Sequence, residues 1–154
     1  MTTEKEDLQQ RVAAHPFLRG MEPHQIEVLS KSATPVAFEA GQVIFRAGEP
    51  ANGFFLVETG AVAIEAKPDG RERVVIDTVT GGEPLGWSWL FAPFMWEFDA
   101  RAAAPTTALC FSGILLRQHR EEDLTLSHEL FKRMSQVMVR RLQAARRRLA
   151  HTAP

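Results

Sequence analysis

Residues 41–86 read GQVIFRAGEPANGFFLVETGAVAIEAKPDGRERVVIDTVTGGEPLG. Eight of the chain's ten glycines (41, 48, 53, 60, 70, 81, 82 and 86) fall in this stretch and separate short apolar runs: Gln42–Phe45, Phe54–Val57, Ala61–Ile64 and Arg73–Ile76. Short runs rich in Val, Ile and Phe, bounded by glycine, read as strands rather than helices. Pro68-Asp69-Gly70 is a hairpin turn, because proline presets φ at the first turn position and glycine accepts a positive φ. Many short strands at close intervals predict a small antiparallel barrel or roll, continuing from Pro35 to Phe111.

Outward from the roll the pattern is helical. Glu4 to Ala14 reads as a short helix stopped at His15-Pro16-Phe17-Leu18, since proline disfavours the α conformation in the residue before it. A second helix begins near Glu22-Pro23 and carries Ile26, Leu29 and Ala33 on one face, with Val28 beside them. After Gly113 a long amphipathic helix follows, with Leu126, Leu130, Met134, Val137, Met138, Leu142, Ala145 and Leu149 at three-and-four spacing. A stripe of that length finds a partner helix, so Leu130, Met134, Val137, Met138, Leu142, Ala145 and Leu149 are expected to form a homodimer interface. The expected class is α+β: an antiparallel β-roll (a jelly-roll-like double-stranded β-helix) flanked by short N-terminal helices and a long C-terminal helix.

At 154 residues, 45% hydrophobic and 24% charged, the chain fits one domain. Such a domain buries roughly two-thirds of its unfolded surface. Its parts are predicted as helices over 12–34, roll over 35–112 and helices over 114–150. The single Cys110, in an apolar run, reads as a small core hydrophobe. The opening MTTEKEDLQQ is polar and acidic, and no run is long enough to span a bilayer, so no leader or membrane segment is expected and the cytoplasm is the predicted compartment. A formal net charge of −1 argues against a general nucleic-acid coat. The crowd formed by Arg140, Arg141, Arg146, Arg147 and Arg148 reads as the solvated flank of an amphipathic helix.

His15, His24, His119, His128 and His151 have no metal-ligand spacing, and one cysteine cannot complete a zinc site. Asp77, Glu83, Glu97 and Asp99 form no acid–base pair, and neither a nucleophile elbow nor a Walker loop occurs. No catalysis, metal or cofactor is expected.

The densest signal for a ligand is residues 81–105, GGEPLGWSWLFAPFMWEFDARAAAP, where a glycine turn runs into six of the thirteen aromatic residues: Trp87, Trp89, Phe91, Phe94, Trp96 and Phe98. They either plug the mouth of the roll or line a pocket for a planar, apolar ligand. On the second reading the contacts are Gly82, Glu83, Leu85, Gly86, Trp87, Ser88, Phe98, Asp99, Ala100 and Arg101. The space beside Gly86 is then either open or filled by Trp87 and Phe98.

The order of elements, with His15-Pro-Phe-Leu18, Gly41-Gln-Val-Ile-Phe45, Gly48-Glu49, Phe54-Phe-Leu-Val57, Glu58-Thr-Gly60-Ala-Val62, Gly82-Glu83 and Leu85-Gly86, resembles the cyclic-nucleotide-binding domain of the catabolite-activator and fumarate-nitrate-regulator type. The resemblance covers about residues 12–150. It implies that residues 81–105 are the phosphate-binding cassette, in which backbone N–H groups at a helix start face the cyclic phosphate. In the family an arginine neutralises that phosphate and a glutamate takes the ribose hydroxyl. This chain departs at both places, with Trp87 where the glutamate stands and Phe98 where the arginine stands. Arg101 is the nearby cation, three residues beyond Phe98, an odd offset that aims it at the opposite face of an extended segment.

The resemblance implies a small-molecule-sensing regulatory domain with atypical or lost cyclic-nucleotide binding, signalling through its dimer helix. Its ligand would be a cyclic nucleotide or another planar molecule. The alternative is a dimerisation or docking module presenting the aromatic cassette to a protein partner. Related transcription regulators carry a winged-helix domain after the long helix. None follows in this sequence, so direct nucleic-acid binding is not expected.

Overall fold

The computed structural model describes residues 3–120 and 124–152; residues 121–123 of the expected helical segment 114–150 lie outside them. The chain forms two compact units, Met1–Gln118 and His119–Pro154.

The first unit opens with α1 (Thr3–Ala14), a 3-10 turn at Pro16–Leu18 and α2 (Pro23–Lys31). Glu22 caps α2 with its backbone N–H donating to Gln25 Oε1 at 3.1 Å, and Pro23 occupies the first turn, where its missing N–H costs nothing. Eight strands follow: β1 (Ala33–Phe38), β2 (Val43–Phe45), β3 (Gly53–Thr59), β4 (Ala61–Ala66), β5 (Val74–Thr80), β6 (Pro84–Leu85), β7 (Asp99–Ala102) and β8 (Thr106–Ser112). They form two four-stranded sheets, ordered β1-β8-β3-β6 and β2-β7-β4-β5, and the strand pairs are antiparallel. This is the expected α+β roll. Its first strand starts at Ala33, two residues before Pro35; β1 is an edge strand and tolerates a proline, which lacks a ladder donor.

The core of the roll is Phe54, Leu56, Val57, Val62, Val79, Leu109 and Phe111, all wholly buried. The turn between β4 and β5 is closed by the Arg71 N–H donating to the Pro68 carbonyl at 3.0 Å, with Gly70 at φ +69°, as the Pro-Asp-Gly sequence requires.

The second unit is dominated by α4 (Leu124–Thr152), 29 residues long. Its apolar residues form two stripes rather than one. Leu126, Leu130, Met134 and Val137 are buried. About 100° around the helix, Phe131, Ser135, Met138, Leu142, Ala145 and Leu149 follow a 4-3-4-3-4 spacing, the a/d seam of a coiled coil. Phe131, Leu142 and Leu149 on that seam are 48%, 52% and 70% exposed.

His15 fastens the N-terminal turn to the roll. Its ring, 4% exposed, donates from Nε2 to the Val57 carbonyl at 2.8 Å and accepts the Phe17 N–H at Nδ1, 3.2 Å away. An accepting Nδ1 requires the neutral ring. Burial pushes the His15 pKa below 6.5, outweighing the bond to Val57 and the charge of Glu58, which act the other way. The folded ring therefore stays neutral where an unfolded histidine takes a proton. The stability it contributes is complete above about pH 6.5 and is lost as pH falls below that value. Urea midpoints are expected to drop between about pH 7.5 and 5.5. In His15→Gln, whose amide also donates and accepts, the drop should shrink; an identical drop in both proteins would disprove the assignment.

Candidate ligand site at the cassette

The cassette is stitched to the roll from both ends. At its start, the Val57 carbonyl accepts the Gly82 N–H at 2.8 Å in addition to His15, and the Val57 N–H donates to the Glu83 carbonyl at 3.0 Å. Gly81 passes so close to β3 that a Cβ there would lie 2.6 Å from the Glu58 carbonyl oxygen. The Glu83 carboxylate accepts from the Thr80 N–H and hydroxyl at 2.9 and 2.8 Å, closing its own turn.

Residues 94–96 then lie along the β2–β3 loop. The Ala51 N–H donates to the Phe94 carbonyl at 2.7 Å, the Trp96 N–H to the Glu49 carbonyl at 2.9 Å, and the Gly48 N–H to the Trp96 carbonyl at 2.8 Å. This pairing delivers Trp96 inward. Its ring is 7% exposed, stacks on Phe45 at a centroid distance of 3.8 Å, and covers Gly86, where a Cβ would fall 2.7 Å from ring carbons Cη2 and Cζ3. Gly86 also has φ +92°, so glycine is required there twice over. Phe45 continues the column through Phe55 and Phe38.

The space beside Gly86 is thus filled by Trp96, not by Trp87 and Phe98. Trp87 caps a 3-10 turn (Ser88–Leu90) and is half-buried, whereas Phe98 precedes β7 and is 40% exposed. Trp89 forms a second buried column, stacking on Phe54 at 5.0 Å, with Phe54 on Phe111 at 4.8 Å. The six aromatic residues therefore divide: Trp89 and Trp96 plug the roll, and Phe91, Phe94 and Phe98 are exposed. Of the other candidate contacts, Leu85 and Ala100 are core, and Ser88 is half-buried in the turn.

β7 shows where Asp99 and Arg101 point. Ala100 and Ala102 are wholly buried while Asp99 and Arg101 alternate with them on the other face. Register sets Asp99 beside Glu65, two carboxylates that repel. Two guanidiniums resolve the conflict. Arg73 binds Asp99 and lies 3.6 Å from Glu65 Oε1, while Arg101 donates to Glu65 at 3.1 Å and to the Gly41 carbonyl at 2.9 Å. Asp99 also accepts the Ala47 N–H at 2.7 Å. The four side chains, 11% to 33% exposed, form a neutral cluster tying β4, β7 and the two loops flanking β2 together. Arg73, read from the sequence as the start of a strand, belongs to the turn before β5. Cys110 is half-buried in β8, and burial pushes its thiol up, opposite to what a reactive thiolate needs.

Comparison with known proteins identifies the family of this antiparallel roll. Residues 35–123 match the model of the cyclic nucleotide-binding domain, and the chain belongs to that family. It is 29% identical over 136 residues to a CRP-like cAMP-activated global transcriptional regulator of Mycobacterium tuberculosis, a match covering 87% of this chain and 58% of the regulator. Among solved structures it resembles a putative cyclic nucleotide-binding protein of Geobacter metallireducens, with TM-score 0.78 and 22% identity over 87% of this chain and 97% of that one. It also resembles the sensor domain of the transcriptional regulator DNR of Pseudomonas aeruginosa, with TM-score 0.73 and 20% identity over 93% and 95% of the two chains. The last two likenesses concern the fold. Among the described residues no helix is long and apolar enough to cross a membrane.

The fit of Trp96 over Gly86 predicts a coupled pair. Trp96→Ala should cost about 3–5 kcal/mol and Gly86→Ala about 1–3 kcal/mol. Removing the ring makes room for the new methyl, so the double variant should fall short of the sum by about 1 kcal/mol or more. Additive losses in denaturant titrations would show that the two do not touch.

Proposed function

We propose that this is a ligand-sensing regulatory domain, acting in the cytoplasm, whose cassette has exchanged the charged grip of a cyclic phosphate for an aromatic one. It performs no reaction itself and signals through α4. The observation that carries this reading is the alternation of β7. The buried phase of the strand belongs to Ala100 and Ala102, Phe98 stands before them where the family pattern has arginine, and Arg101 lies on the other face bound to Glu65. Each charged hydrogen bond absent from a phosphate lowers affinity by about 1.5–3 kcal/mol, roughly ten- to hundredfold in Kd. What remains near Gly86, Trp87 and Ser88 is backbone polarity with aromatic surface, suited to a planar molecule of low charge.

The three tryptophans, Trp87, Trp89 and Trp96, all lie in the cassette, so intrinsic fluorescence reports on it alone. Cyclic AMP and cyclic GMP are expected to bind no better than adenosine and guanosine, read by tryptophan fluorescence and by Tm. Saturation by cyclic AMP at micromolar concentration would overturn the exchange of grip. Silence of all of these, with an exposed Phe91, Phe94 and Phe98, would favour a docking role for the cassette.

Signalling of this kind needs α4 to have a neighbour whose packing the ligand biases. That neighbour is a second copy of the chain, paired along Phe131, Ser135, Met138, Leu142, Ala145 and Leu149. From the interface expected on sequence it keeps Met138, Leu142, Ala145 and Leu149; Leu130, Met134 and Val137 belong to the neighbouring, buried stripe. Leu142→Asp with Leu149→Asp should convert dimers to monomers in sedimentation, and an unchanged mass would remove this seam from the interface.

A further inference from the structure

The Val57 carbonyl on β3 joins two segments that are distant in sequence. It accepts from His15 Nε2 of the N-terminal turn and from the Gly82 N–H at the start of the cassette, each at 2.8 Å. The two segments also touch directly, since a Cβ at Gly82 would lie 3.3 Å from Pro16 Cγ. Phe17 and Leu18, both buried, complete the turn, and His15 Nδ1 caps it by accepting the Phe17 N–H.

One proton decides whether this arrangement holds. A charged imidazole donates from both nitrogens. The bond to Val57 survives, but Nδ1–H then points at the Phe17 N–H, two donors facing each other in a buried site. What gives is the backbone at Phe17, and with it the seat of Pro16 on the glycine turn. β3 lies inside its sheet between β8 and β6, whereas residues 3–18 are terminal, and terminal segments open at lower free energy than a sheet interior.

The charged groups around the ring set when this happens. Glu58, next to Val57 on β3, draws a proton toward His15, and Arg11 of α1 holds that carboxylate through Nε at 3.0 Å and Nη2 at 2.5 Å. On the cassette side the Glu83 carboxylate is engaged by Thr80. Burial outweighs Glu58 and keeps the closed ring neutral below 6.5, the value of an open one. Opening is therefore favoured as pH falls below about 6.5, by at most about tenfold per pH unit.

We infer that the His15 turn is an acid-sensitive latch on the cassette: protonation of the ring releases the Pro16–Leu18 turn from the glycine turn at residues 81–82 while the roll stays folded. The latch regulates the cassette of the proposed function without resting on its ligand. A failed nucleotide titration leaves the latch standing, and a cassette indifferent to pH leaves the sensing reading standing.

The test uses the whole chain with no ligand. Native-state hydrogen exchange, normalised for its intrinsic pH dependence, should show residues 12–18 and 81–86 losing protection together between about pH 7 and 5.5, while β3 and β8 keep theirs and far-UV circular dichroism is unchanged. Tryptophan fluorescence should follow the same midpoint. His15→Gln should abolish the transition. Glu58→Gln and Arg11→Gln lose the same ion pair, so any loosening of α1 is common to both. The midpoint of Glu58→Gln should nonetheless lie about half a pH unit below that of Arg11→Gln, because only the second leaves a bare carboxylate beside the ring. If His15→Gln fails to fold, this pair decides. A transition unchanged in His15→Gln overturns the inference, as do coincident midpoints for the pair, or protection lost in β3 and β8 along with the circular dichroism.

Discussion

The contact on which the cassette depends is the face of Trp96 laid on Phe45 and against Gly86. A glycine with φ +92° lets the chain turn out of β6, and its missing Cβ leaves a surface flat enough for an indole. The ring in turn pins residues 94–96 where they can bond the β2–β3 loop, and through that loop Ala47 reaches Asp99. Burying an aromatic ring of this size removes roughly 150–250 Å² from water. The same ring that anchors the segment fills the space beside Gly86, so the stability of the cassette and the surface it presents are one problem.

Much of the roll was legible because its signals are local. Glycine and Pro-Asp-Gly punctuation fix where strands end, and Pro16 and Pro23 fix where helices stop and start, without reference to anything distant in the chain. The site was less legible because its decisive contacts are not local. Nothing in the neighbourhood of Trp96 distinguishes it from Trp87 or Phe98; only its pairing with Glu49 and Gly48 turns it inward. Asp99 reads in isolation as a charge that would repel an anion. Its neutralisation by Arg73 depends on β4 and β7 being neighbours, which no spacing within either strand announces. The odd offset between Phe98 and Arg101, by contrast, is a local rule, and the alternation of β7 follows it.

The long helix illustrates a different loss of information. Apolar residues at three-and-four spacing satisfy one broad stripe or two narrow ones equally well, so Leu130 and Met134 fall into one list with Met138 and Leu142. Burial divides them: Leu130, Met134 and Val137 are covered, while Leu142 and Leu149 are exposed. Phe131, adjacent in sequence to Leu130 but about 100° away around the helix, belongs with the exposed group.

Cyclic-nucleotide-type rolls separate two kinds of recognition that can change independently. Backbone N–H groups at a glycine turn follow from the fold and persist through any side-chain replacement, whereas the charge that opposes a phosphate depends on single side chains. In this chain Gly82 and Gly86 both keep positive-φ conformations, with the Gly82 N–H donated to the Val57 carbonyl, and Arg101 is bound to Glu65. Arg101 still carries a cation near the cassette's end, but β7 directs it to Glu65, of whose two guanidinium partners it is the nearer at 3.1 Å. Releasing Arg101 to a ligand would leave Glu65 with Arg73 as its remaining ion-pair partner at 3.6 Å, in a site where the carboxylate is only 11% exposed. Weakening the pairing of a nearly buried carboxylate costs free energy that sets itself against release of the arginine. The electrostatics of the sheet itself therefore favour Arg101 bound to Glu65, an arrangement set by strand register rather than by the shape of a pocket.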